Sequence, residues 1–186
     1  SHAGRWHGDQ EVVSHMVEGH IHRQTYAETL CRTTKLASRL ATYGIIQGDR
    51  VGTLGWNTHR HLEAWYAISG QGAICHTINP RLFAEQIKFI INHAEDRVLF
   101  VDLSFVGLVS ELLPELPSVE SVIIMTDSDH MPDTSNIAVT SYCYEEFLEQ
   151  GADEYEWPVV DENSASSLCY TSGTTGEPKG VLYSHR

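Results

Sequence analysis

Apolar and polar positions change period repeatedly along this chain, and each change marks an element. Thr25 and Glu28 fit a capping box. Tyr26, Leu30, Ala37 and Leu40 then recur near helical spacing until Gly44 offers a C-cap. The turn at Gly48 and Asp49 leads into a predicted strand at 50–54, and 59–69 reads as a second helix with Leu62, Trp65 and Tyr66 expected to face inward. A strand is predicted at 73–77, closed by Asn79 and Pro80, and the helix after it carries Phe83, Ile87, Ile90, Ile91 and Ala94 on one face. Short strands at 98–101 and 122–125 flank a helix at 105–113 that ends near Pro114 and Pro117. The strand at 122–125 is apolar without polar alternation, as a sheet covered on both faces requires.

Helices and strands alternating at this spacing imply right-handed crossovers, hence an α/β fold with a mainly parallel, doubly wound sheet. From 126 to 141 the chain turns to Asp, Ser, Thr, Pro and His and reads as a surface excursion. A short helix at 144–149 follows, then an acidic connector to Asp161 in which Asp153 and Glu154 have no visible partner. No internal repeat is evident.

Composition narrows the function. At 186 residues the chain suffices for one α/β domain without disulfides or a metal as support. Acidic residues outnumber Lys and Arg 25 to 12, and a formal charge of −13 repels a nucleic-acid backbone. A local site can still hold a phosphorylated ligand, because short-range donors outweigh distant screened charges. Cys31, Cys75, Cys143 and Cys169 form no CxxC pair, which argues against a thiolate zinc site and fits a reducing cytoplasm. No apolar run is long enough for a transmembrane segment, and the first residues lack a signal core. Residues 1–10 are expected to be a cloning remnant and a flexible N-terminus.

The chemistry concentrates in YTSGTTGEPKG, residues 170–180, between predicted strands at 166–171 and 181–184. Its glycines permit close backbone approach, so that successive amides can converge on an anion. Ser172, Thr174 and Thr175 add hydroxyl donors without bulk, and Lys179 brings a charge-assisted contact for phosphate. Pro178 before the lysine, with Gly180 and Val181 after it, argues against the helix that opens at a Walker lysine. Anion capture would rest on a strand–loop–strand clamp. Three or four such residues alone would read as a turn; eleven in this order do not.

The order of these residues resembles the signature of the adenylate-forming superfamily, which includes acyl-CoA synthetases, luciferases and peptide-synthetase adenylation domains. HRQTYAETLCRTTKLASRL, the stretch from GDRVGTLGWNTHRH to NPRL, IINHAEDRVLFVD and GVLYSHR are similar to medium- and long-chain fatty acyl-CoA synthetases. The resemblance implies that residues 11–186 are the N-terminal part of an AMP-binding (adenylation) domain. It implies an ATP-dependent ligase in which a fatty acid attacks the α-phosphate, diphosphate leaves, and CoA then displaces AMP. Thr171, Ser172, Gly173, Thr174, Thr175, Gly176 and Lys179 are the implied ATP-binding residues, with Thr171 also the implied neighbour of Mg²⁺ and none of them a nucleophile. The sequence reaches only Arg186, whereas family members are much longer. The other Mg²⁺ ligand, the adenine and acyl pockets and the C-terminal domain with its catalytic lysine are therefore expected to be missing, and the fragment to be inactive alone. A short thioether acid such as methylthiopropionate, another acceptor, or a non-catalytic nucleotide-binding module are the alternatives. A homodimer is compatible with the sequence.

His20 and His22, like His59 and His61, lie two apart, but no Cys, Asp or Glu cluster completes a ligand set, and on a helix positions i and i+2 diverge. Trp56, Trp65 and Tyr66 are expected in the core by default. His185 is a further candidate near the nucleotide.

Overall fold

Val98 and Phe100 point to one face of a sheet, Leu99 and Val101 to the other, and that period-two alternation splits the core into two layers. A computed structural model describes residues 2–171 and 178–186. After a short helix α1 (His2–Trp6), strands β1 (Glu11–His15) and β2 (Ile21–Thr25) pair as an antiparallel hairpin that sequence periodicity did not reveal. The stretch expected to be a flexible start thus includes a helix. Then come α2 (Tyr26–Tyr43), β3 (Arg50–Leu54), α3 (His59–Gly70), β4 (Ile74–Thr77), α4 (Ala84–Ala94), β5 (Val98–Val101), α5 (Val106–Leu112), β6 (Ser121–Ile124), β7 (Thr140–Cys143), α6 (Tyr144–Glu149), β8 (Ala165–Thr171) and β9 (Lys179–Ser184).

The main sheet is seven-stranded in the order β7-β6-β5-β3-β4-β8-β9, parallel throughout except for the antiparallel β8–β9 pair. It is the mainly parallel, doubly wound α/β sheet that the alternation predicts. Leu36, Ala37, Leu40, Ala67, Ile68, Tyr144 and Phe147 bring α2, α3 and α6 onto one face. Ile87, Ile90, Ile91, Val109 and Leu112 bring α4 and α5 onto the other. The start of α2 is capped as expected: the Glu28 amide donates to Thr25 Oγ1 at 3.2 Å, and the Thr25 amide to Glu28 Oε2 at 2.6 Å. Gly44, at φ 103°, ends the helix in the left-handed region.

Four expectations fail for physical reasons. Helix α3 turns inward its polar side, with His59, Arg60 and Glu63 beside Ala64, Ala67 and Ile68, while Trp65 and Tyr66 remain 37% and 59% exposed. Charge explains the inversion. Glu63, fully buried, accepts from Arg32 Nε at 2.8 Å, Gln24 Nε2 at 2.7 Å and the Tyr144 hydroxyl at 2.7 Å. Arg60 donates to Glu18 at 2.6 Å and Glu145 at 2.8 Å, and thereby links the hairpin, α3 and α6. Ion pairs so fully hydrogen-bonded can occupy positions that a binary pattern assigns to apolar residues.

The second failure is β7, inside the stretch read as a surface excursion. It is a half-exposed edge strand, so its residues carry no apolar signature. The third is the acidic connector. Asp153 has a partner, Lys35 at 3.5 Å, and Trp157 packs onto Gly70, where a Cβ would come within 2.4 Å of its ring. Phe83 is likewise exposed: it caps α4 and does not share its buried face.

Candidate active site

The end of β8 and the start of β9 place two of the seven predicted phosphate-binding residues opposite each other. Thr171 closes β8, Lys179 opens β9, and the two are register partners in the antiparallel pair. Such partners have α-carbons about 5 Å apart and side chains on one face of the sheet. An exposed hydroxyl and an exposed ammonium therefore flank the loop between them, at the carboxyl end of a parallel strand, where doubly wound sheets bind ligands. Pro178 precedes the ladder and Lys179 enters a strand, so no helix begins at the lysine. Ser172, Gly173, Thr174, Thr175 and Gly176 lie outside the described residues.

A cleft of about 660 Å³ opens beside this ribbon, over the carboxyl ends of β3, β4 and β8. Asn57, His61, Trp65, Asn79, Cys169 and Tyr170 are among its walls. Trp65 and Leu62 thus line this cleft, and Tyr66 lines a second, largely apolar hollow of about 540 Å³ between α1, α2 and α3. Expecting Trp56, Trp65 and Tyr66 in the core was wrong: the buried ion network occupies the inner face of α3, and Trp56, before that helix, is 41% exposed.

The strand order reverses direction at β3, so the crevice between β3 and β5 is the topological switch point, the default ligand position in such sheets. Here the protein fills it. The Trp56 amide donates to Asp102 Oδ2 at 2.5 Å, its indole donates to Ser104 Oγ at 3.3 Å, and its ring leans on Phe105 at 5.3 Å. Gly55 is needed for this closure: a Cβ there would lie 2.3 Å from Met125 Cε and 2.8 Å from Asp102 Oδ2. Burial pushes the Asp102 carboxyl up to about 6, against the Trp56 amide, which favours the charged form. Nothing in the sequence pattern signals the closure, since Asp102 reads as a strand-terminating polar residue.

At least one histidine of each pair is engaged elsewhere in the fold. His22 stacks on His59 at 3.8 Å, and burial, with positive neighbours, drives the His59 imidazole down to about 2, so it stays neutral. His61 bridges the Trp56 carbonyl at 3.2 Å and Thr53 Oγ1 at 3.0 Å. Among the described residues no group of three or more His, Cys, Asp or Glu side chains could hold a metal ion, and no helix is long and apolar enough to cross a membrane.

Fold and ribbon together define a doubly wound α/β protein in which a Gly/Ser/Thr-rich loop joins a parallel strand to an antiparallel edge strand. The AMP-binding enzyme family matches residues 1–186, and the chain belongs to that family. It is 50% identical over 185 residues to a medium-chain-fatty-acid–CoA ligase of Ectopseudomonas oleovorans, covering 100% of this chain and 34% of that protein. It is 49% identical over 187 residues to a 3-methylmercaptopropionyl-CoA ligase of Ruegeria lacuscaerulensis, again covering 100% and 34%. The chain thus spans about a third of the length of these relatives. The crystal structure of the anthranilate CoA ligase AuaEII with anthranoyl-AMP superposes with a TM-score of 0.85 over 99% of this chain and 33% of that one. At 21% identity this likeness concerns the fold.

Proposed function

We propose that this chain binds nucleotide phosphate for an AMP-forming acid–thiol ligase, a fatty-acid–CoA ligase that works through an acyl-adenylate. The observation that carries the reading is the register pairing of Thr171 with Lys179 at the mouth of the family's loop. In the reaction a carboxylate oxygen bonds to the α-phosphorus of ATP as diphosphate leaves, and the CoA thiol, losing its proton, then displaces AMP from the acyl carbon. The departing diphosphate carries the developing negative charge. An ammonium and hydroxyl donors fixed beside it stabilise that charge more than they stabilise the ground state.

Thr171 supplies a hard neutral oxygen of the kind Mg²⁺ accepts, and the phosphates would supply others. When bound, the ion neutralises phosphate charge. The acid is read as an aliphatic fatty acid. A short thioether acid is the second reading, favoured by the 49% identity to the methylmercaptopropionyl relative. The four cysteines are free thiols, which supports a reducing cytoplasm as the location.

In the full gene product, acid-dependent exchange of labelled diphosphate into ATP tests the reading across short thioether acids and medium- and long-chain fatty acids. We expect exchange with at least one acid, and Lys179→Ala should slow it roughly a hundredfold. Exchange with none of the acids, or undiminished exchange in the variant, would sink the proposal.

A further inference from the structure

Among the described residues, strand β9 is an edge strand with β8 as its one strand neighbour, and every one of its six residues is exposed. Its register rests on that pairing, which contains an irregularity between Ala165 and Ser167, and at its far end on the Ser166 hydroxyl, which donates to the Tyr183 and Ser184 carbonyls. A slip of one residue would carry Lys179 to the opposite face of the sheet. Something must hold the ribbon in place if Lys179 is to stay beside Thr171.

Tyr170 has the geometry for that task. It is the register partner of Gly180, and a Cβ on Gly180 would come within 3.2 Å of Tyr170 Cζ, 3.4 Å of its Cε1 and 3.3 Å of Leu168 Cδ1. The phenol ring thus lies across the bare α-carbon of Gly180, a cross-strand pairing of aromatic and glycine that fixes register. At the far end of the ring, the Tyr170 hydroxyl is 2.6 Å from Nδ1 of His93, in the last turn of α4. His93 is itself stacked on Phe89, with centroids 5.6 Å apart. One side of the Tyr170 ring leans on His76 at 5.2 Å, and His76 is held from behind by fully buried Asp96 at 2.7 Å.

We propose that Tyr170 is a positioning residue: its ring over Gly180 and its hydroxyl on His93 tie the β8–β9 ribbon to α4 and hold Lys179 opposite Thr171. This deepens the phosphate-binding reading and rests on it. The tether acts through Tyr170 and Gly180, the neighbours in sequence of Thr171 and Lys179. Releasing it lowers the fraction of ribbon in the competent register, and a ligand's apparent dissociation constant rises in inverse proportion to that fraction.

The test uses Tyr170→Phe, His93→Ala and the double variant in the full gene product, with Lys179→Ala as the arm that probes the underlying reading. KM for MgATP should rise roughly 3- to 10-fold in each single variant with kcat within about twofold, and the double variant should be no worse than the poorer single one. Hydrogen exchange of the β9 amides should quicken by a similar factor while β3 and β5 stay protected. Unchanged KM and unchanged β9 exchange in both single variants, with Lys179→Ala still impaired, would overturn the tether alone. Faster β9 exchange with unchanged KM would also overturn it, because the ribbon's register would then have no bearing on ATP. An inert Lys179→Ala would overturn the phosphate-loop reading beneath it.

Discussion

The two carboxyl-terminal edges of this sheet are built in opposite ways. At β3 and β5 the crevice where doubly wound sheets bind ligands is closed by the protein's own Trp56, Asp102 and Phe105, over strands buried on both faces. At β8 and β9 the sheet ends in an antiparallel ribbon that is half-buried on one strand and exposed on the other. The difference teaches that a fold supplies candidate positions and the side chains decide which one is used. A parallel core whose crevice is closed by its own side chains has little left for a ligand. A ribbon whose outer strand is paired on one side only among the described residues leaves donors available to a ligand.

The largest effect that would sharpen the contrast is on the core side. Glu63 is fully buried and accepts from Arg32, Gln24 and Tyr144 at once. Removing it strands an arginine, an amide and a phenol that cannot all reach water. Glu63→Ala should cost about 3–5 kcal/mol in urea unfolding. A loss below about 1 kcal/mol would mean that the network is not what holds α2, α3 and α6 together, and the core would be no more committed than the ribbon.

Next in size is the plug at the switch point, where pH reports the burial. Asp102 has its carboxyl raised from 3.8 to about 6, chiefly by burial, with Glu18 adding to the rise and the Trp56 amide and Arg60 opposing it. The native state then holds this proton more tightly than the unfolded chain does. The stability the group contributes is whole below pH 3.8 and is lost as pH climbs through about 6. Roughly 3 kcal/mol would be lost across that window, at 1.36 kcal/mol per pH unit. Asp102→Asn keeps an acceptor for the Trp56 amide and abolishes the titration. The stability of the variant relative to the natural chain should therefore increase between pH 4 and 6 and level off above. A pH-independent difference between the two denaturation midpoints would show that the crevice is wet.

The same contrast explains what could be read in advance. The strands of the parallel core were legible because they are short apolar runs between Gly, Asn and Pro turns, and α2 because Thr25, Glu28 and Gly44 mark its ends. The loop was legible from residue order. Pro178 argued against a helix at Lys179, and β9 opens there, two residues before the strand expected at 181–184. What escaped were features that arise between distant residues. Glu63 is inside only because Arg32 comes from 31 positions away, and no periodicity within α3 can register that. Asp102 closes on an amide 46 positions earlier, and His93 reaches a hydroxyl 77 positions later. Edge strands such as β7 and the β1–β2 hairpin escaped for another reason: water satisfies their outer faces, so polar residues suffice.

The smallest expected effect, that of Leu182→Ala, comes from the most direct comparison of the two regions, which sets one leucine against another across a single ladder. Leu168 in β8 and Leu182 in β9 are register partners, yet the first is 6% exposed and the second 59%. Leu168 packs with Ile74 and Ala94, so truncation to Ala should cost about 2–5 kcal/mol through lost burial and a cavity. Leu182→Ala removes a side chain that is already in water and should shift stability by no more than about 0.5 kcal/mol. Paired residues normally share an environment, so the asymmetry states that β9 is held by its ladder and by the ring of Tyr170, not by its own apolar side chains. Thermal unfolding of the two variants side by side measures it. Equal losses would mean that the ribbon is packed as tightly as the core, and the distinction between a sealed sheet and an open edge would disappear.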